Sequence, residues 1–143
     1  MKAARTPKIV GSSRKPAALG GPFVCSWSAV GGCAVIRVAG RVDSSTTEAF
    51  AHELQHVITT KLSQVVVDLR RVTAMDAGGL DVLTEAYELA TRHQGWLRVA
   101  GAGEWFTDLL RATRETRPFE HYPSLAEALP AYRPAGGGSE LRA

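Results

Sequence analysis

The chain has 143 residues, 45% of them hydrophobic, which is enough for one domain of ordinary size with a real core. Its formal charge of +3 is uneven, because the first 20 residues hold five basic side chains and no acid (Lys2, Arg5, Lys8, Arg14 and Lys15). The remainder carries a slight excess of acids, so no nucleic-acid-binding face is expected on the folded part.

The two ends differ in composition from the middle of the chain. Both are rich in Gly, Pro, Ser and charge. We therefore predict a basic disordered tail at 1–21, one folded domain at 22–132 and a disordered tail at 133–143. No apolar run approaches the roughly 20 residues that cross a bilayer, and the start lacks the apolar segment of a signal peptide. A cytoplasmic protein without membrane association is expected.

The first predicted unit is a β-hairpin between Phe23 and Gly40. Gly31 and Gly32 suit a two-residue turn with positive φ, which pairs Val30 with Cys33. This register gathers the apolar residues on one face (Phe23, Cys25, Trp27, Ala29, Ala34, Ile36 and Val38). Cys25 and Cys33 fall on opposite faces, so two free thiols are expected rather than a disulfide.

Next come a predicted helix and a predicted strand. Ser45 to Glu48 reads as a capping box, and the apolar side of the helix that follows is Phe50, Leu54, Val57 and Ile58. The run "QVVVDL" is typical of a strand buried on both faces.

The second half alternates between helices and strands. Asp76 is a predicted N-cap for a helix that carries Leu80, Leu83, Tyr87 and Ala90 and stops near Gly95. The strand "WLRVAG", the helix "EWFTDLLRAT" and the short strand "FEHY" follow. Ser124 to Glu127 is a second capping box, for a helix that ends before Pro130. The alternation predicts an α/β fold with a mixed, largely parallel sheet.

The motif "HELQH", His52 to His56, matches the H-E-x-x-H of zinc proteases. On a helical projection, however, both histidines lie opposite the apolar side and point to water. No third ligand follows at the expected spacing, and we predict a solvated helix face without a metal.

No other residue pattern indicates catalysis. There is no G-x-S-x-G, and neither cysteine has a histidine partner. We expect no enzyme activity and no cofactor. The acids Asp81, Glu85 and Glu88 lie on the exposed side of their helix and favour a charged docking face.

The corner Asp76 to Gly79 is unusual, because two glycines weaken the first turn of a helix by up to about 1 kcal/mol each relative to alanine. One explanation is close packing of the turn against a neighbouring strand or loop. The other is an exposed backbone surface at the carboxyl edge of the sheet, suited to a partner or an anion.

The stretch "VVVDLRRVTAMDAGGLDVL" resembles the signature of STAS domains, the bacterial anti-sigma-factor antagonists, in which Met-Asp-Ser-Ser-Gly-Leu leads into a helix. "VIRVAGRVDSSTTEAF" is similar to the preceding strand, loop and first helix of that family, and "PSLAEAL" to its closing helix. The resemblance covers about Phe23 to Leu129. It implies a STAS-like sheet of about five strands with about four helices.

The resemblance also implies a function and a departure from it. STAS antagonists bind an anti-sigma factor with a serine-kinase-type ATPase fold and so free a sigma factor; the kinase inactivates them by phosphorylating the first serine of the pair. That position is Ala77 here, and the second serine is Gly78, so no phosphoacceptor is expected. Two functions stay open: an antagonist that is permanently competent, or a non-phosphorylatable STAS scaffold or ligand sensor, with other STAS proteins as possible partners.

The predicted partner surface combines two loops, because parallel strands bring their carboxyl-edge loops together. It consists of the loop after the second strand, the corner and the exposed side of the next helix (Asp43, Ser44, Asp76, Ala77, Gly78, Gly79, Asp81 and Glu85).

Overall fold

The computed structural model describes residues 23–113 and 117–130. Along these ranges the elements are β1 (Val24–Val30), β2 (Cys33–Val42), α1 (Thr47–Thr60), β3 (Gln64–Met75), α2 (Ala77–Arg92), β4 (Trp96–Ala100), α3 (Glu104–Thr113), β5 (Glu120–Tyr122) and α4 (Leu125–Ala128). The predicted tails at 1–21 and 133–143 lie outside the described residues. No helix of the described part is long and apolar enough to span a bilayer.

One sheet runs through the described part of the chain in the order β1-β2-β3-β4-β5. β1 is antiparallel to β2, whereas every later pair is parallel. The mixed, largely parallel sheet is therefore confirmed. The hairpin register is confirmed too, since Val30 pairs with Cys33 across Gly31 and Gly32, whose φ angles are 59° and 83°. Both cysteines are free thiols.

The main core lies between one face of the sheet and the helices α1, α2 and α3. Phe50, Leu54, Leu80, Leu83 and Phe106 from these helices are buried there against alternate residues of β2 and β3. The short helix α4 packs on the opposite face, where Ala128 joins a smaller apolar cluster. Burying both faces of the central strands explains the continuous apolar run of β3.

The start of α1 departs from the predicted capping box. The helix begins at Thr47, with Thr46 as N-cap and no side-chain cap hydrogen bond. Ser45 instead donates its hydroxyl to Asp43 Oδ1 at 2.7 Å, so it closes the preceding turn and does not cap the helix. The capping box at Ser124 is confirmed in its main contact, because Ser124 Oγ accepts from the backbone N–H of Glu127 at 3.2 Å.

β3 continues well beyond the apolar run that predicted it. It loses its β4 partner after Asp68, which pairs with Ala100, but stays paired with β2 until Val42 meets Met75. Register shifts occur between Arg37 and Ala39 and between Gly40 and Arg41 of β2. The ends of β2 and β3 thus form a two-stranded extension of the sheet.

Where β4 ends, the carboxylate of Asp68 is buried, with 4% of the residue exposed. Its oxygens accept from the Arg70 guanidinium at 3.2 and 3.3 Å and from the Arg70 backbone N–H at 3.1 Å. These bonds satisfy a charge that would otherwise be costly to bury.

Charge is distributed unevenly between the helical layer and the sheet. The exposed acids of the helical layer include Glu48, Asp81, Glu85 and Glu88. Exposed arginines lie on β2 and β3, and two of the four, Arg41 and Arg70, are paired with Asp43 and Asp68 (Arg37, Arg41, Arg70 and Arg71). Arg37 and Arg41 alternate with the β2 residues that face the main core, so they point away from α1 and α2.

Candidate functional site

The β2–α1 loop and the β3–α2 corner meet at the carboxyl edge of the sheet, as predicted. Val42 pairs with Met75 at the ends of the two strands. Directly beyond this pair, the backbone N–H of Asp76 donates to the carbonyl of Val42 at 3.1 Å. This bond ties the two segments together and brings the residues after Val42 beside the start of α2.

The β2–α1 loop is organised by Asp43. Its Oδ1 accepts from the backbone N–H and the hydroxyl of Ser45 at 3.0 and 2.7 Å, and its Oδ2 from Arg41 at 3.4 Å. These bonds, with those from Ser45 the strongest, lower the pKa of the Asp43 carboxyl. Thr46 Oγ1 accepts from the Asp43 N–H at 3.0 Å and lies 2.8 Å from the Arg41 carbonyl, to which it donates. Ser44 is left exposed at the tip.

Asp76 caps α2, which confirms that prediction. Its backbone is extended, with φ −105° and ψ −177°, and its Oδ1 accepts from the Gly79 N–H at 3.2 Å. The cap orders the first turn although two of its three residues are glycines.

Gly79 is buried, and core side chains pack closely against it. A Cβ built on it would collide with Met75 Cγ and would lie 2.9 Å from Met75 Sδ and 3.0 Å from Val42 Cγ1. Close packing therefore accounts for this glycine. Its contribution to the corner is to let α2 start directly against the Val42–Met75 pair.

Packing does not account for Gly78 in the same way. Gly78 and Ala77 are exposed, and a Cβ on Gly78 would meet Asp76 Oδ1 at 3.2 Å and Thr47 Cγ2 at 3.8 Å, with no core atom among its near neighbours. The corner thus presents a small surface without large side chains, flanked by Asp76 and the start of α1.

Two of the acids predicted on α2, Asp81 and Glu85, have different surroundings. Asp81 is exposed and accepts from Arg117 at 3.3 Å, and the same guanidinium nitrogen donates to Thr84 Oγ1 at 3.1 Å. Glu85 lies six residues after Gly79, about 9 Å farther along the helix axis. It belongs to a groove between α1 and α2 rather than to the corner.

That groove has a volume of about 570 Å³ and an apolar floor that includes Leu54, Val82 and Leu89. Its rim carries charged and polar side chains from both helices (His52, Gln55, His56, Glu85, Glu88 and Arg92). His52 and His56 are exposed, as predicted. Among the described residues no group of three or more His, Cys, Asp or Glu side chains is placed to hold a metal ion.

Sequence reasoning missed two residues that shape the site. Thr46 helps Asp43 to organise the loop. Its position three residues after Asp43 is typical of a turn closed by side-chain hydrogen bonds and could have indicated this role. Arg117 donates to Asp81, 36 positions earlier in the chain, and no local sequence pattern predicts such a contact.

Comparison with known proteins gives a family and a set of similar structures. The family model described as "Mlab, STAS domain" matches residues 25–117. No curated protein matches the chain significantly.

Three solved structures illustrate the likeness. An anti-sigma factor antagonist from Mycobacterium paratuberculosis is 25% identical, with a TM-score of 0.68 over 77% of this chain and 93% of that one. The STAS domain protein from Planctomyces limnophilus, an anti-sigma-factor antagonist, is 15% identical, with a TM-score of 0.63 over 73% and 93%. The anti-sigma factor antagonist SpoIIAA in its unphosphorylated form is 15% identical, with a TM-score of 0.62 over 73% and 91%. The last two show likeness of fold.

Proposed function

The chain belongs to the STAS-domain family, and from that premise we propose that it is an anti-sigma-factor antagonist, a cytoplasmic regulatory protein that binds an anti-sigma factor and so frees a sigma factor. The observation that carries the proposal is the 25% identity to the antagonist from Mycobacterium paratuberculosis over 77% of the chain. The STAS family match over residues 25–117 supports it. The protein acts by binding, without catalytic activity of its own.

The proposed binding surface is the corner with its flanks. Ala77 and Gly78 are exposed, and the Val42–Asp76 bond holds them beside the Asp43–Ser44 loop. A partner backbone can approach closely where side chains are this small. Asp76 extends the surface at the corner, and Asp81 and Glu85 extend it farther along α2 towards the groove. Asp76 and Glu85 favour basic groups on the partner, since Asp81 is already paired with Arg117, and Gly79 supports the corner from beneath.

The proposed partner is an anti-sigma factor with a serine-kinase-type ATPase fold, and the antagonist is permanently competent. A phosphate at position 77 would bring a charge of about −1.5 to −2 next to Asp76 and the docked partner. Ala77 has no hydroxyl to accept it. Thr84 is engaged with Leu80 and Arg117, whereas Thr73 is exposed on β3, before the corner.

The test is binding of the purified protein to the anti-sigma kinases encoded by the same genome, with and without ATP. Wild type should bind a kinase in the presence of ATP and stay unmodified by mass spectrometry. Ala77→Ser should become phosphorylated and release the kinase. Phosphate on Thr73 or Thr84 of the wild type, with release, would show that the switch has moved and is not lost.

A matched pair of variants tests the surface. Gly78→Arg places a large side chain on the corner, and Thr107→Arg adds the same charge on exposed α3. Only Gly78→Arg should abolish kinase binding, with both variants folded by circular dichroism. If the wild type binds no kinase but captures purified STAS proteins, the antagonist function is wrong and the scaffold alternative applies.

A further inference from the structure

β1 is an edge strand without the usual protection. Within the described residues it pairs with β2 alone, and its seven residues "VCSWSAV" contain no charge and no proline. Natural proteins commonly place charges, prolines or bulges on such edges to prevent pairing with another chain. The opposite edge, β5, is three residues long and carries Glu120 and His121. β1 is therefore the edge of the sheet best suited to receive a strand.

The register determines which backbone groups of β1 face outward. Val30 and Cys33 flank a two-residue turn and form a hydrogen-bonded pair. Because such pairs alternate along an antiparallel ladder, Val24, Ser26, Ser28 and Val30 direct their N–H and C=O groups to β2. The groups of the intervening residues, Cys25, Trp27 and Ala29, point to the free edge.

We propose that β1 pairs antiparallel with β1 of a second copy of this chain, about a two-fold axis at Trp27. Trp27 is the middle residue of the strand and directs its backbone outward, so one register gives both full overlap and reciprocal hydrogen bonds. Cys25 then lies opposite Ala29 of the second copy, and Val24 opposite Val30. The two sheets join into one continuous sheet across the dimer.

The side chains of β1 fit this register. Val24 is an exposed large hydrophobic residue, with 43% of its surface accessible, and Val30 of the second copy would cover it. Ser26 would meet Ser28, and the two Trp27 rings would approach at the axis. β1 itself contributes no charge to the paired strands, and the Arg37 guanidinium of β2 reaches it at Ser28, where it donates to Ser28 Oγ at 2.8 Å.

Sedimentation velocity of the full chain over a wide concentration range tests the dimer. Wild type should show a reversible monomer–dimer equilibrium. Val24→Lys should raise the dimer Kd by about tenfold or more, because pairing would desolvate the ammonium against Val30. The control Thr107→Lys, with the same charge on exposed α3, should leave the Kd unchanged. A wild type that stays monomeric overturns the proposal, as does a Val24→Lys dimer of unaltered strength.

Cysteine cross-linking tests the register. Residues of a hydrogen-bonded antiparallel pair have Cα atoms about 5.5 Å apart, a separation that a disulfide spans. Ala29→Cys should therefore bond to Cys25 of the second copy under mild oxidation and give a covalent dimer on non-reducing gels. Burial raises the pKa of the Cys25 thiol, so the oxidation is run at alkaline pH. Wild type and Ser28→Cys have no thiol pair in this register and should not cross-link. Failure of Ala29→Cys, or equal cross-linking of Ser28→Cys, overturns the register.

Discussion

Gly78 and Gly79 are neighbours in the chain but have different constraints. Gly79 lies against Met75 and Val42, and there is no room for a side chain. Gly78 faces solvent beside Asp76. The packing and surface explanations of the corner therefore apply to one glycine each.

We expect Gly79→Ala to lower the free energy of unfolding by about 1–3 kcal/mol, because the added methyl overpacks the Val42–Met75 contact. Gly78→Ala should change it by less than about 1 kcal/mol, since the gain in helix propensity offsets a tight approach to Asp76 Oδ1. Equilibrium urea unfolding of the two variants measures both. Equal losses would mean that α2 can shift to accommodate either side chain.

Asp43 should make the stability of the loop depend on pH. Its pKa is lower in the folded protein than the ordinary value of 3.8, so its contribution is present above that value and is lost as the pH falls through the folded pKa. Asp43→Asn should therefore be less stable than wild type at neutral pH, with the difference shrinking well below pH 3.8. Urea unfolding of wild type and Asp43→Asn at neutral pH and at the acidic pH checks this, and a stability difference that does not change with pH would contradict it.

At the scale of the elements, the start of α1 depends on the turn before it. Thr46 Oγ1 joins the Arg41 carbonyl to the Asp43 N–H, whereas the Ser45 hydroxyl makes one exposed bond to Asp43. The turn, rather than a capping box, sets where the helix begins.

Thr46→Ala should consequently destabilise the protein by about 1 kcal/mol or more, since it removes a donor and an acceptor together. Ser45→Ala should cost less. A capping box would give the reverse order, with about 1 kcal/mol lost at Ser45. Thermal unfolding of the two alanine variants distinguishes the two arrangements.

Features governed by neighbouring residues could be predicted from the sequence. The Gly31–Gly32 turn defined the hairpin register, and Asp76 defined the start of α2. Which hydroxyl organises the turn before α1, that of Ser45 or that of Thr46, could not be predicted, because both are within reach of the same turn. The length of β3 depends on its pairing with β2, and the Asp81–Arg117 contact on tertiary packing. The slightly acidic net charge of the folded part likewise did not indicate the exposed arginines on β2 and β3.

For the whole molecule, we propose a single domain at 22–132 between two tails. The structure describes 23–113 and 117–130 of this range, and the family match covers 25–117. Brief digestion with a protease of broad specificity should leave a fragment close to 22–132, identified by intact mass, because compact backbone resists cleavage. Early cuts between Phe23 and Thr113 would contradict this boundary.

The excess of exposed acids on the helical layer and the exposed arginines of β2 and β3 make the charge of the domain uneven, with the negative excess on the helical side. Near a charged partner, the electric field orients the domain before the two molecules make contact. A cationic surface attracts the side that carries α2 and the corner, and an anionic one attracts the arginines. Dissolved salt weakens this torque at distances beyond about 10 Å, so the frequency of productive encounters should fall with ionic strength more steeply than the lifetime of a complex already formed.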